Sequence, residues 1–322
     1  MTGWASHLRP PGLVLNALKG DAHEQRAHRW LEWDGGAAPR VALLGVPFDG
    51  ASVVRTGSRE GPDAVRRAMG NYTTFATSTG ESIAGAGAAD VGDVDVVLTD
   101  MPGTFARLRG TVASLVGSGA MVVAIGGDHS ITWPMLEGVA GGLPGRQIGV
   151  IHFDAHHDLR ESHFGAESSG VPLRKALNFE GAPLRGRNLV QLGIAEFANA
   201  PAHAAYAREQ GVRVIGNVEV FARGLDACVD EALERAGDGT EAIYVTVDVD
   251  AIDHAQAPGT AAPNPNGLDA RDIYRALRRI ARVPETVGLD VVEISPSLEH
   301  GNLTANVGAM LVLSFLAGVA ER

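Results

Sequence analysis

The sequence predicts an α/β fold built on a mainly parallel, doubly wound sheet, and three observations carry that prediction. Apolar runs of about five to eight residues alternate with longer Ala- and Arg-rich stretches, the pattern of repeated βα units. Several of those runs are apolar almost throughout, as strands covered by helices on both faces are. No Ser/Gly/Pro linker and no internal repeat interrupts the alternation, so residues 39–322 read as one domain.

The elements follow in order along the chain. Residues 1–38 mix Trp, His, Pro and charge without strand alternation and read as an N-terminal arm, in which DAHEQRAHRWLEW (21–33) suits one short helix. RVALLGV (40–46) is the first strand and GPDAVRRAMGNY (61–72) the first long helix; the short glycine-rich GAGAAD (85–90) reads as a turn. The helix TFARLRGTVASLVGSG (104–119) closes on Gly117 and Gly119 and feeds the strand GAMVVAIGG (119–127). VAGGLPGRQ (139–147) reads as a second turn, before the strand IGVIHFDAH (148–156). Then come the strand NLVQLGI (188–194), the helix APAHAAYAREQG closing on Gly211, and the strand VRVIG (212–216). The helix LDACVDEALERAG (225–237), strand AIYVTVDVD (242–250), helix DARDIYRALRRIAR (269–282) and strand ETVGLDVVEI (285–294) complete the series.

Composition narrows the function. A formal net charge of −11 argues against nucleic acid and anionic membranes as partners, since those need clustered Lys and Arg. The single cysteine, Cys228, excludes an intrachain disulfide and a thiolate zinc cluster, and a reducing cytoplasm fits. The N-terminus lacks a signal peptide's long apolar core, and MLVLSFLAGVA near the end reads as too short to span a bilayer.

In an open parallel sheet, ligands bind beyond the carboxyl ends of the strands. Here MVVAI is followed by GGDHS with His129, VIHF by Asp154, His156 and Asp158, IYVTV runs into Asp248 and Asp250, and GLDVV ends at Glu293. Two imidazoles and five carboxylates are thus aimed at one rim. Taken alone, GGDHS reads as a turn with a capping Asp, and DVDAID as a solvated edge or a calcium-like loop. DAHHD is harder to treat as incidental, because unpaired acids are expensive to bury beside an apolar strand. If the strand geometry continued through it, residues 154, 156 and 158 would share one face. Four Asp and two His without a thiolate make a hard, oxygen-rich site suited to Mn or Mg. Six ligands exceed what one ion ordinarily needs. Two divalent ions sharing carboxylates and a water would produce a nucleophile for hydrolysis near neutral pH.

These residues resemble the ureohydrolase (arginase/agmatinase) superfamily. The likeness runs from GVPFDGASVVRTGSREGPDAVRRAM (45–69) through GGDHS, DAHHD and DVDAIDHAQAPGT (248–260) to LDVVEISP (289–296). It implies a three-layer α/β/α fold, two Mn2+ per chain, and a homo-oligomer, usually a trimer or hexamer. It also implies that His129 and Asp158 bind one ion and His156 and Asp250 the other, that Asp154 and Asp248 bridge, that Asp158 serves catalysis, and that Glu293 holds the substrate's amidinium. The competing role for Glu293 is an ion pair with a nearby Arg. His157, His163 and His254 read as solvated or supporting residues.

Two departures bear on the substrate. Arginases and agmatinases resemble one another in an HGxP-like loop where this chain has SSGVP (168–172), with Ser169 in the His slot, and arginases carry Asn where this chain has Arg160. A guanidinium there repels a cationic tail and attracts a carboxylate. Both departures, and GIAEFANAPAHAAYAREQGV (193–212) with Asn199, resemble the formimidoylglutamase branch, which implies Arg160, Ser169 and Asn199 as substrate contacts and N-formimidoyl-L-glutamate as substrate. Against this, APGTAAPNPNGL (257–268) resembles agmatinase and guanidinobutyrase, so a guanidino acid or agmatine is the alternative. A non-catalytic relative and a one-metal hydrolase of another bond type are the competing classes; the filled ligand positions weigh against both.

Overall fold

A computed structural model of the 322-residue chain describes residues 8–9, 25–162, 165–179 and 184–322. The greater part of the expected N-terminal arm, with the first residues of its expected helix, lies outside the described residues, as does His163. In chain order the strands are β1 Leu8–Arg9, β2 Val41–Val46, β3 Phe75–Ala76, β4 Glu81–Ser82, β5 Ala88–Val94, β6 Met121–Gly126, β7 Ile148–Phe153, β8 Leu184–Ile194, β9 Arg213–Gly216, β10 Ala242–Asp248 and β11 Thr286–Val292. The helices are α1 Ala27–Trp30, α2 Gly61–Met69, α3 Met101–Gly117, α4 Thr132–Gly142, α5 Pro172–Asn178, α6 Pro201–Gln210, α7 Asn217–Arg223, α8 Leu225–Gly237, α9 Ala270–Ala281 and α10 Leu303–Ala320.

Alternation along the strands builds the three layers. Leu43, Val123, Ile125, Ile151, Phe153, Val245, Val247, Leu289 and Val291 point to one side, where α2, α8, α9 and α10 cover them. Their neighbours Ala42, Leu44, Val122, Ala124, Val150 and Tyr244 point to the other, against α3 and α4. Each fully buried Val, Leu, Ile or Phe contributes roughly 1.5–3 kcal/mol, and both faces are buried. That is why these strands read as continuous apolar runs.

Among the described residues the main sheet has the order β1-β5-β2-β6-β11-β10-β7-β8-β9, parallel throughout except for the antiparallel β1–β5 pair. The four strands expected to deliver polar residues, β6, β11, β10 and β7, are consecutive in this order. At roughly 4.8 Å per strand their carboxyl ends fit within one small-molecule site.

Three expectations need correction. GAGAAD is a turn only as far as Gly87; from Ala88 the chain is β5, paired with β2. VAGGLPGRQ begins inside α4, which continues to Gly142 because burial of Met135, Leu136 and Val139 beside α3 outweighs the poor helix propensity of glycine. MLVLSFLAGVA is the later part of α10, whose 18 residues and hydropathy of 1.9 do meet the length and composition of a membrane span. Burial decides its place: 67% of it is covered inside the fold, between α9 and α2.

Candidate metal centre and substrate cleft

The strand geometry does not continue through DAHHD. β7 stops at Phe153, and the chain then turns. The turn is held from three sides: Asp154 Oδ1 accepts the His156 N–H at 2.5 Å, Asp250 Oδ1 accepts the Ala155 N–H at 3.1 Å, and Asn199 Oδ1 accepts the His157 N–H at 2.9 Å. Asp158 then takes a left-handed backbone, φ 51°, as does Glu293 at φ 65°. Non-glycine residues seldom adopt this region, and strain of this kind persists where the surroundings over-determine it. The ligands converge through a constrained turn rather than through pleating.

What converges is specific. His129 Nδ1 lies 3.1 Å from Asp154 Oδ2, 2.8 Å from Asp158 Oδ2 and 3.4 Å from Asp248 Oδ2. His156 Nδ1 lies 2.9 Å from Asp250 Oδ2 and 3.4 Å from Asp154 Oδ1. Asp154 therefore presents one oxygen to each imidazole. Asp248 presents Oδ2 to His129, while its Oδ1 accepts the Asp250 N–H at 2.9 Å.

One imidazole N–H can serve one acceptor, not three, and among the described residues the buried His129 Nδ1 makes no hydrogen bond of good geometry. Three oxygens gathered about one such nitrogen form a donor set with a cation's place at its centre, and Asp154, His156 and Asp250 form a second group with metal-ligand spacing. Electrostatics agrees. Burial, then Asp250 and Asp154, pushes Asp248 well above the usual carboxylate range, and burial lifts Asp250 to about 6. Asp154 goes the other way: His152, His129 and His156 outweigh its burial and hold it well below. Asp250 in turn raises His156 to about 12. A divalent ion among these groups would relieve the repulsion and leave both imidazoles as neutral ligands.

A layer of buried polar residues aims the ligands. Thr246 Oγ1 lies 3.0 Å from His129 Nε2, which leaves Nδ1 toward the acids. His152, fully buried on β7, contacts Asp154 Oδ2 through Nε2 at 2.8 Å. Gln191 fixes that ring: its Nε2 donates to His152 Nδ1 at 3.1 Å and to the His157 carbonyl at 2.7 Å, while its Oε1 lies 2.7 Å from His157 Nδ1. His152 is thereby set as an Nε2–H donor to Asp154, a supporting contact of the kind that orients metal ligands. His157 is thus a buried supporting residue, and His254 is exposed. GGDHS does both things read from it: Asp128 caps the turn through Ser130 N–H and binds Ala51 N–H at 2.8 Å, while the next residue enters the donor set.

Above the donor set lies a cleft lined by Asp158, Arg160, Ser169, Asn199, His203, Glu293 and the donor residues His129, His156, Asp248 and Asp250, with Val53, Val54 and Thr260–Ala262 as further walls. Among the described residues Glu293 pairs with no Arg. Its Oε1 accepts the His129 N–H, and its buried Oε2 has no partner among the described residues. Burial, then Asp248 and Asp128, pushes its carboxyl well above the usual range, a setting that favours a cationic ligand. Arg160 is half-buried and its guanidinium has no hydrogen-bond or ion-pair partner among the described residues. Ser169 is half-buried in the lining, its N–H held by Ala51 O at 2.8 Å. Asn199 also lines the cleft, but its amide is engaged with the backbone at both ends: Oδ1 with His157, Nδ2 with Ala155 O at 2.9 Å. One lone pair on Oδ1 remains for a ligand.

Sequence reasoning passed over His152, Gln191 and His203. His152 had an available signal, since it continues the alternation of His156 and Asp154 back into the strand. Gln191 and His203 have none locally; only the neighbourhood of β7 and β8 in the sheet brings them to the site.

Comparison with known proteins agrees with this geometry. A family model described as the arginase family matches residues 39–318. The chain is 33% identical over 306 residues to a formimidoylglutamase of Halalkalibacterium halodurans, covering 94% of this chain and 95% of that protein. It is 36% identical over 298 residues to a guanidinopropionase of Pseudomonas aeruginosa, covering 88% of each. The crystal structure of formimidoylglutamase from Bacillus subtilis matches it with a TM-score of 0.88 at 30% identity, over 97% of this chain and 96% of that one. Matched by the family model from residue 39 to residue 318 and by relatives along nearly their whole length, the chain belongs to the arginase family.

Proposed function

We propose that the protein is a dinuclear manganese hydrolase that cleaves a C–N bond of a linear amidine, with N-formimidoyl-L-glutamate and water giving L-glutamate and formamide. The observation that carries this reading is one cleft that joins the two-imidazole donor set to a buried, unpaired Glu293 oxygen and an unpartnered Arg160 guanidinium. Hydrolysis of a cationic group attached to an anionic body calls for that combination. His129 and Asp158 would hold one ion, His156 and Asp250 the other, with Asp154 and Asp248 shared. When bound, the ions supply concentrated positive charge and an activated water.

The remaining steps belong to the chain's own residues. Glu293 Oε2 receives the planar amidinium through a charge-assisted hydrogen bond and orients its carbon toward the donor set. Asp158, in the cleft lining and held by its left-handed backbone, accepts a proton and passes it to the departing nitrogen. Arg160 takes a carboxylate of the substrate. Ser169 and Asn199 contact the substrate from the cleft lining, Asn199 while also holding the turn that presents the ligands.

A guanidino acid is the second reading, because the Arg160 guanidinium suits any carboxylate and APGTAAPNPNGL keeps its likeness to guanidine-cleaving enzymes; agmatine, with a cationic tail, fits least. Residues 39–322 form the catalytic domain and 1–38 an arm. The protein acts in the cytoplasm as a homo-oligomer, a trimer or hexamer, on a small molecule from histidine breakdown. Neither nucleic acid nor membrane is its partner.

The test is a product assay on manganese-loaded protein offered N-formimidoyl-L-glutamate, 4-guanidinobutyrate, agmatine and arginine in parallel. Formamide from the first alone is the expected result. Urea from a guanidine would keep the metal chemistry and overturn the substrate.

A further inference from the structure

Resting on the acidic-amidine reading above, we propose that His203 determines specificity: its imidazole N–H and the Arg160 guanidinium grip two carboxylates of one substrate, selecting a dicarboxylate amidine over a guanidino acid with one carboxylate. Four side chains in the cleft lining are basic: His129, His156, Arg160 and His203. The first two face carboxylates within the donor set. Arg160 and His203 have no side-chain hydrogen bond or ion pair among the described residues. Two basic groups are thus free to meet two anionic ones.

Both are held in place. The Arg160 N–H donates to Gly170 O at 3.0 Å, and its side chain lies across the Gly170 backbone so closely that a Cβ on residue 170 would sit 2.7 Å from Arg160 Cδ and 2.8 Å from Nε. A side chain at residue 170 would displace the end of Arg160 from this path. His203 is the third residue of α6 and is half-buried. Its helix is pinned one turn later, where Tyr206 stacks under Arg174 at 4.0 Å and receives Asn178 Nδ2 at 2.7 Å. The charges that act most strongly on His203 include Arg160, His157, Asp158 and Arg174, of which one is acidic.

The chemistry of the candidate substrates gives this pair its function. In N-formimidoyl-L-glutamate and in 4-guanidinobutyrate the same number of bonds separates the reacting group from the terminal carboxylate, so Arg160 alone cannot distinguish them by that contact. They differ in the α-carboxylate, next to the amidine nitrogen. A second donor separates them, because a carboxylate that leaves its hydration for the half-buried lining without gaining a partner loses binding energy. His203 also supplies from α6 an imidazole that Ser169 does not supply from the SSGVP loop.

The experiment compares wild type with His203→Leu and His203→Asn, the latter retaining an N–H donor. KM and kcat are measured for N-formimidoyl-L-glutamate and for N-formimidoyl-4-aminobutyrate, and calorimetric Kd for L-glutamate and 4-aminobutyrate, all on manganese-loaded protein. The expected result is a rise of about tenfold or more in diacid KM and in glutamate Kd for His203→Leu, with kcat and the monoacid values within about twofold of wild type and partial recovery in His203→Asn. Equal losses for diacid and monoacid, or no loss for either, overturn the proposal. If wild type hydrolyses neither amidine, the proposed activity fails, and the binding arm still decides: a glutamate preference that His203→Leu abolishes supports the grip, and equal binding of the two acids by wild type refutes it.

Discussion

The backbone N–H of His129 donates to Glu293 Oε1 at 2.9 Å. This bond ties the turn after β6 to the end of β11, its immediate neighbour in the sheet. It also divides the labour of the carboxylate. One oxygen holds the turn that carries a metal-ligand candidate, and the other, buried and unpaired, faces the substrate cleft.

Glu293→Gln separates those two uses. The amide oxygen still accepts from His129, so metal content is expected to stay at the wild-type level, while the negative charge opposite the amidinium disappears. A hydrogen bond to a charged group is worth about 1.5–3 kcal/mol, so kcat/KM is expected to fall by roughly ten- to a hundredfold. An unchanged kcat/KM with intact metal content would remove Glu293 from the binding of substrate.

Asp154→Ala acts on both halves of the donor set, since each imidazole faces a different oxygen of this carboxylate. It also strands the His152 N–H that Gln191 has oriented toward it. Loss of activity together with metal bound per chain well below wild type, measured by elemental analysis after desalting, is the expected outcome. Full activity at normal metal content contradicts the shared position of Asp154.

Gly127→Ala tests why GGDHS needs its second glycine. A Cβ at residue 127 would lie 1.7 Å from the Phe48 carbonyl oxygen, the same oxygen that accepts the Asp128 N–H at 2.8 Å. The neighbour is backbone and cannot turn aside as a side chain would. Overpacking of this kind costs about 1–3 kcal/mol or more, and chemical denaturation of the metal-free protein should show it. A variant as stable as wild type would mean that the approach of residues 48 and 127 is looser than the structure has it.

The site was legible where apolar strands end abruptly in acids and imidazoles, because burial and solvation impose that break on β6, β7, β10 and β11 alike. β5 was not, and its acids explain why. Asp90 and Asp93 give AADVGDV the composition of a loop, yet Arg66 reaches across from α2 to both, Nε to Asp90 Oδ2 at 2.7 Å and Nη1 to Asp93 Oδ1 at 2.6 Å. A strand that carries its own acids inward is recognisable only when the partner cation is known, and that cation is 24 to 27 residues away. His203 hides for the same reason: nothing near it in sequence connects it to Arg160, and the register of β7 against β8 does.

The acid limb of stability has a source away from the metal centre. Arg213 on β9 donates from Nε to Glu231 on α8 at 2.5 Å, Glu219 on α7 binds the same guanidinium, and Arg223 Nη1 reaches Glu231 Oε2 at 2.7 Å. Bonding to Arg213, against some burial and with help from Arg223, holds the Glu231 carboxyl down from its usual 4.5 to about 2. A carboxyl depressed in the folded state binds fewer protons there than in the unfolded chain at the same pH. Its stabilisation is therefore complete above pH 4.5 and fades as pH falls toward 2. Because the Glu231 side chain keeps 23% of its exposure, water screens the network and the contribution at neutral pH is that of a largely solvated pair, about 0.5–1 kcal/mol. Urea denaturation of wild type and Glu231→Gln across a pH series reads this directly: the gap between them should be widest above pH 4.5 and should narrow steadily on acidification. The carboxylates of the donor set titrate in both proteins and cancel from the comparison. A gap that stays constant with pH would show that the Arg213 network contributes packing and not charge.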